Sequence, residues 1–198
     1  NVFDTKSIKS FKHNIFSFLK NNHQKYEGRH VNYFGTKKAY KEISSFHRLQ
    51  ENNKIKKISI SGLIPKIAKK FLKKKLELRA SEIFIKKKGY GKATPIHQDA
   101  YYWNVKNNEG LTLWVALTAS NKKNGSVFYY DKSHKHGVFD HTSSFVKGSS
   151  QKLLNKKKLK KFKKSIPNIS KGDVVVHNSL VLHGSFKNMT PKKRIGWT

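Results

Sequence analysis

Residues 5–20, TKSIKSFKHNIFSFLK, set Ile8, Phe11, Ile15, Phe18 and Leu19 at helical spacing. That spacing predicts an amphipathic helix. The pattern returns in SISGLIPKIAKKFLKKK, residues 59–75, through Leu63, Ile64, Ile67 and Phe71. Pro65 suits a helix there only within the first turn. Between the two, residues 21–57 are polar and weakly periodic, which predicts loops with a short helix. From residue 81 the texture changes to short β-type runs: SEIFIK (81–86), LTLWVAL (111–117), SVFYYD (126–131), GDVVVHNSLVLH (172–183) and RIGWT (194–198). Gly, Asn and Lys turns separate them. Apart from residues 132–171, the links are too short for helical crossovers. The chain therefore reads as mainly β, an antiparallel sandwich or barrel with helices packed outside. QKLLNKKKLKKFKKS, residues 151–165, reads as a basic amphipathic insertion, a helix on the rim of the domain.

Composition narrows the chemistry. With 198 residues the chain is long enough for one domain with its own core, here expected to span residues 1–198. There is no cysteine, which excludes thiolate catalysis, Cys-type zinc sites and disulfides. No apolar run reaches the ~18 residues of a bilayer span, and a cytoplasmic protein is expected. The first residue is Asn1 and the last, Thr198, ends an apolar stretch, so the chain is expected to be a fragment truncated at both ends.

Charge is conspicuous: 43 Lys+Arg against 11 Asp+Glu, formally +32. Such an excess suits a polyanionic partner, and a basic nucleic-acid-binding module is one alternative reading. Most of the excess is lysine, however, whereas groove readers rely on arginine. Lys, Asn, Ile, Phe and Tyr are all abundant, as a bias toward AT-rich codons produces. Nucleic acid is therefore not the expected partner.

Candidate chemistry sits in two distant segments. TPIHQDAYYW (94–103) places His97 and Asp99 two apart, so on a strand they share a face and Gln98 turns away. Alone, such a triplet is weak in a chain with ten histidines. LVLHGSFKNMTPKKRIGW (180–197) adds His183 at the end of an apolar run and Arg194 eleven residues later. A hairpin there would let both strands share one pocket. Two histidines and a carboxylate make a facial triad suited to Fe(II), and an arginine fork grips a carboxylate bidentately. His177, six residues before His183 and of the same strand parity, competes as third ligand; His183 is preferred. Tyr101, Tyr102 and Trp103 suit a substrate mouth or a β core equally, and His134 and His136 are expected to be exposed.

TPIHQDAYYW, LTLWVALTASNKKNGSVFYYDKSHKHG and GDVVVHNSLVLHGSFKNMTPKKR together resemble the phytanoyl-CoA dioxygenase family, over about residues 81–198. The resemblance implies a double-stranded β-helix (jelly-roll, cupin-like) core, to which residues 1–80 add helices. It implies Fe(II) held by His97, Asp99 and His183, with 2-oxoglutarate and O2 as cosubstrates. Arg194 and Ser185 would hold the distal carboxylate of 2-oxoglutarate, and Trp114 would line its pocket. The activity implied is hydroxylation of a small-molecule or acyl- or carrier-linked substrate, with release of succinate and CO2. Retention of Asp99 sets the chain apart from related halogenases, which have a small residue there. HTSSFVKGSSQ (141–151) resembles a segment near the active-site opening and is expected to act as a lid. Two departures stand out: Lys132 replaces a usual glycine, and Thr118, Ala119 and Ser120 follow the W-x-A-L strand where an acidic residue is common. A jelly-roll hydrolase or isomerase with the same ligands is a further alternative, but it needs neither Arg194 nor the HGS segment.

Overall fold

Successive residues of a strand face opposite sides, and here the two sides serve different ends. The computed structural model describes residues 1–89, 92–103, 109–146 and 148–198. Among these, three helices precede most of the sheet structure: α1 (Thr5–Asn22), α2 (Asn53–Ile60) and α3 (Leu63–Lys69). The strands are β1 (Val31–Tyr33), β2 (Ile43–Phe46), β3 (Ile83–Lys86), β4 (Thr94–His97), β5 (Leu111–Ala116) and β6 (Val127–Tyr130). They continue as β7 (His141–Val146), β8 (Ser149–Leu153), β9 (Lys164–Ser165), β10 (Val174–Asn178), β11 (His183–Ser185) and β12 (Arg194–Trp197).

A six-stranded sheet has the order β1-β2-β3-β12-β5-β10, a four-stranded one β4-β11-β6-β9, and β7-β8 form a separate hairpin. From β3 to β6 the chain alternates between the two large sheets strand by strand, and from β9 to β12 it does so again. That alternation, with antiparallel pairing inside both sheets, is the jelly-roll the sequence implies.

Parity then divides the residues. Ile83, Ile85, Val115, Leu117, Ile195 and Trp197 pack with Ile8, Ile15 and Leu19 of α1 on the outer face of the six-stranded sheet. Asp4 caps α1 by accepting from the Ser7 N–H at 2.7 Å, satisfying one of the donors a helix start leaves open. The alternate positions, Lys86, Thr112, Trp114, Arg194 and Gly196, face the space between the sheets. On the four-stranded sheet, Phe128 and Tyr130 turn outward to Phe139, Leu153 and Leu182. Val127 and Tyr129 turn inward to Trp114 and Val175. One apolar layer thus anchors the helices, and a mixed polar layer lies inside.

Five expectations need correction. Residues 172–183 are not one run: β10 and β11 belong to different sheets, with residues 179–182 carrying the chain across. For the same reason His183 and Arg194 are not on a hairpin; each enters the interior from its own sheet. Residues 151–165 form no amphipathic helix but the end of β8, a 3-10 turn (Lys156–Lys161) and β9, because Leu153 and Phe162 pack on the outer face of the small sheet. Residues 59–75 divide between α2 and α3 at Gly62, whose φ of +72° no helix accommodates. Residues 21–57 also hold β1 and β2, short strands whose Ile43 and Phe46 complete the α1 core.

Candidate metal centre

At the end of β4 the chain leaves the strand, and Asp99 opens a 3-10 turn (Asp99–Tyr101). Gln98, between the two polar candidates, is fully buried and points away from them. Its Nε2 donates to the carbonyls of Leu180 and Gly137 at 2.5 and 2.8 Å, and its Oε1 accepts from the Phe139 N–H at 2.7 Å. One amide side chain thereby ties the H-x-D turn to the approach of β11 and to the loop before β7.

His97 and His183 are direct cross-strand partners on β4 and β11, with ring centroids 4.3 Å apart. His97 Nδ1 lies 2.8 Å from the Pro95 carbonyl and His183 Nδ1 3.0 Å from the Val181 carbonyl. A carbonyl can only accept, so both Nδ1 atoms carry the proton and both Nε2 lone pairs are free. Each Nε2 lies 3.6 Å from Asp99 Oδ1. These three donors form a group that could hold a metal ion, all within 4.8 Å of one another. Burial alone would raise the Asp99 carboxyl, but His183, His177 and His97 outweigh it and hold it well below the usual carboxylate range. Burial, reinforced by His97, pulls His183 down to about 3. The pocket therefore offers an ionised Asp99 and a neutral His183, the protonation states that a cation requires of those two groups.

His177 has a different task. Its Nε2 is 3.0 Å from Asp99 Oδ2 and its Nδ1 3.2 Å from the Tyr129 hydroxyl. Since a carboxylate only accepts, Nε2 carries the proton and Tyr129 donates to Nδ1. Thr112 Oγ1 donates to the same Asp99 Oδ2 at 2.6 Å. Oδ2 is engaged twice, and Oδ1 faces the two free Nε2 atoms. Sequence reading missed Thr112 and Tyr129. Their one available signal was parity, since Thr112 lies two residues before Trp114 on β5.

Further inside, Arg194 is only 2% exposed, and its Nε has no hydrogen-bond partner. Its guanidinium lies 5.5 Å from the Trp114 ring centre. That indole occupies the space over Gly196, where an added Cβ would come within 2.2 Å of it. Burial brings Arg194 down to about 10, so it stays charged at neutral pH. Ser185 Oγ donates to Thr94 Oγ1 at 2.7 Å. An unpaired buried guanidinium is costly without an anion, so this end of the interior suits a carboxylate ligand.

The remaining expectations fall outside this cluster. His134 and His136 are exposed. Tyr101 and Tyr102 are partly exposed, and the Tyr102 ring lies edge-on to His97 with centroids 5.7 Å apart. Its hydroxyl accepts from the Gln151 N–H at 2.9 Å, which links the expected lid to the metal turn; Lys147 of that segment lies outside the described residues. Lys132 has φ +62°, the conformation that makes glycine usual there. Thr118 accepts from the Ile195 N–H at 2.8 Å and so helps to seat β12.

The sequence matches the phytanoyl-CoA dioxygenase family over residues 2–196. The chain belongs to that family. Phytanoyl-CoA dioxygenase 1 of Oryza sativa subsp. japonica is 26% identical over 98% of this chain and 70% of its own length. Among solved structures, EctD from S. alaskensis with 2-oxoglutarate and 5-hydroxyectoine superposes with a TM-score of 0.77 at 15% identity, over 100% of this chain and 68% of that one. The epimerase SnoN with Fe3+, alpha ketoglutarate and nogalamycin RO gives 0.76 at 16%, over 99% and 74%. AviO1 from Streptomyces viridochromogenes Tue57 gives 0.71 at 18%, over 99% and 84%. These likenesses establish the jelly-roll fold. Family membership makes this phytanoyl-CoA dioxygenase relative a non-heme iron oxygenase dependent on 2-oxoglutarate, with dioxygen as the second cosubstrate. No helix among the described residues is long and apolar enough to cross a membrane.

Proposed function

We propose that residues 1–198 act as one oxygenase domain that hydroxylates a small-molecule or acyl- or carrier-linked substrate. In this reading His97, Asp99 and His183 hold Fe(II), and Arg194, Ser185 and Trp114 hold 2-oxoglutarate. The observation that carries it is the convergence of two Nε2 atoms and Asp99 Oδ1 in one buried pocket, with the buried Arg194, whose Nε has no hydrogen-bond partner, facing the same interior. Bound there, iron and 2-oxoglutarate supply the oxidising chemistry, with succinate and CO2 as co-products.

The chain's own residues position and shield. Pro95 and Val181 carbonyls fix the imidazole tautomers, while His177 and Thr112 restrain the carboxylate so that one oxygen remains for the cation. Asp99 fills the position a halide would need, which favours hydroxylation. The aromatic edge of Tyr102 and the β7-β8 hairpin tied to it form one wall of the substrate entrance.

The lysine distribution favours this over a nucleic-acid module. Exposed lysines occur on all three helices, on the 156–161 turn and on both sides of β12's approach, which suits a compositional origin better than one binding face.

The test is turnover of 2-oxoglutarate by the purified protein. Succinate should appear slowly without added substrate, only with Fe(II) and O2, and faster with the right metabolite. Absence of both Fe(II) binding and 2-oxoglutarate binding would rule the reading out.

A further inference from the structure

Lys86 is a buried amine with no anion beside it among the described residues. It lies on β3 directly opposite Arg194 of β12, so both side chains enter the same interior. It is 6% exposed. Its Nζ crosses to the other sheet and donates to the carbonyls of Lys92 and Phe186 at 2.6 and 2.7 Å, just before β4 and just after Ser185. Gly125 makes room for it, since a Cβ there would come within 2.9 Å of Lys86 Cδ.

The groups facing the amine are few. Arg194 comes from β12, two carbonyls from the flanks of β4 and β11, and uncharged backbone from the Gly125 turn; Asn188 Nδ2 donates to the Lys86 carbonyl. On β3 itself, Lys87 turns away to pair with Glu42. Among the described residues no carboxylate pairs with either Lys86 or Arg194. Two neighbouring buried cations without a counter-charge repel each other and lose hydration. Two of the three N–H groups of a charged Lys86 are committed to carbonyls, and the third is available, as is the orphaned Arg194 Nε.

We infer that Lys86 is a second, specificity-determining cation of the cosubstrate pocket, which together with Arg194 receives the distal carboxylate of a dicarboxylic 2-oxo acid and takes up a proton as it does so. The inference rests on the oxygenase reading and adds a residue and a proton to it. Burial, and then the Arg194 charge, pull the ligand-free amine down to about 6, so near pH 7.5 it is largely neutral. An arriving carboxylate reverses both costs and restores the charge. An apolar 2-oxo acid would gain nothing from this residue.

The experiment is calorimetry of 2-oxoglutarate binding to Mn(II)-loaded protein at pH 7.5, in buffers of different ionisation enthalpy. The observed enthalpy should depend on the buffer with a slope approaching one proton taken up per ligand. 2-Oxovalerate, which keeps the chelating end but lacks the far carboxylate, should bind without uptake. Lys86→Met should abolish the slope and weaken 2-oxoglutarate about tenfold, the loss of one charge-assisted hydrogen bond. Binding of 2-oxoglutarate to the wild-type protein without proton uptake overturns this inference alone, whether or not the variant folds. Failure of 2-oxoglutarate to bind at all overturns the oxygenase reading with it.

Discussion

His177 Nε2 lies 3.0 Å from Asp99 Oδ2, and this contact supports the reading in which His183, not His177, is left to face a cation. A residue that donates its Nε2 proton to the carboxylate holds the ligand set in place. With Thr112 it locks the rotation of Asp99, so both should matter to metal affinity without touching the metal. Thr112→Val, which keeps the shape and removes the donor, is expected to weaken Mn(II) or Fe(II) binding by about 10-fold to 100-fold, the usual cost of losing such support. Titration calorimetry on the folded variant checks this. Unchanged affinity would mean that Oδ2 needs no restraint.

Removal of a proposed ligand should act more severely and separate the two histidines. Asp99→Ala and His183→Ala are each expected to lose metal at micromolar concentrations and all 2-oxoglutarate turnover. His177→Gln should retain metal with reduced affinity. Metal content after gel filtration reads all three. If His177→Gln lost metal completely while His183→Ala kept it, the roles assigned to β10 and β11 would be exchanged.

The candidate site, as a cluster of residues brought together, was more legible than the framework around it. His97, Asp99, His183, Arg194 and Ser185 lie in two continuous motifs, and motif spacing survives whatever the connecting chain does. The error over residues 172–183 shows the limit: GDVVVHNSLVLH holds two apolar runs parted only by His177, Asn178 and Ser179, a break too short to mark a crossing between sheets. β1 and β2 were missed because three- and four-residue strands carry too few alternations to register. The 151–165 segment misled for the opposite reason. Its lysines mimic a helix's polar face, but Leu153 and Phe162 are drawn onto the outer side of the small sheet, and packing overrides local pattern. Lys86 escaped notice within a run of three lysines, where only the register with Arg194 distinguishes it.

Lys132 holds a left-handed backbone at φ +62°, which costs a non-glycine residue roughly 1 kcal/mol. Its side chain is exposed and makes no ion pair among the described residues, so little opposes replacing it. Lys132→Gly is expected to raise the unfolding free energy by up to about 0.5 kcal/mol, the strain relieved less the added backbone freedom of the unfolded chain. Urea denaturation measures it. A destabilised variant would mean that the Lys132 side chain makes a contribution larger than the strain.

Lys86 should also be visible in the stability of the ligand-free protein. Folded, its amine sits near about 6; unfolded, an ordinary lysine titrates near about 10.4. Between these values the unfolded chain binds a proton that the folded chain does not. Stability present above pH ~10 is therefore lost as the pH falls toward ~6, at up to about 1.4 kcal/mol per pH unit within the window. Below that window the loss is complete and the contribution flat. Other titrating groups, Lys164 with its lowered amine among them, are shared by wild type and variant, so the difference between their two profiles isolates Lys86. Lys86→Met leaves the Lys92 and Phe186 carbonyls without their donor, which shifts its stability by an amount independent of pH. Urea midpoints at pH 7, 8 and 9 should thus climb for the wild type and stay nearly level for the variant. Parallel profiles would show that Lys86 keeps its charge in the folded protein, and that some group other than a ligand's carboxylate already compensates it.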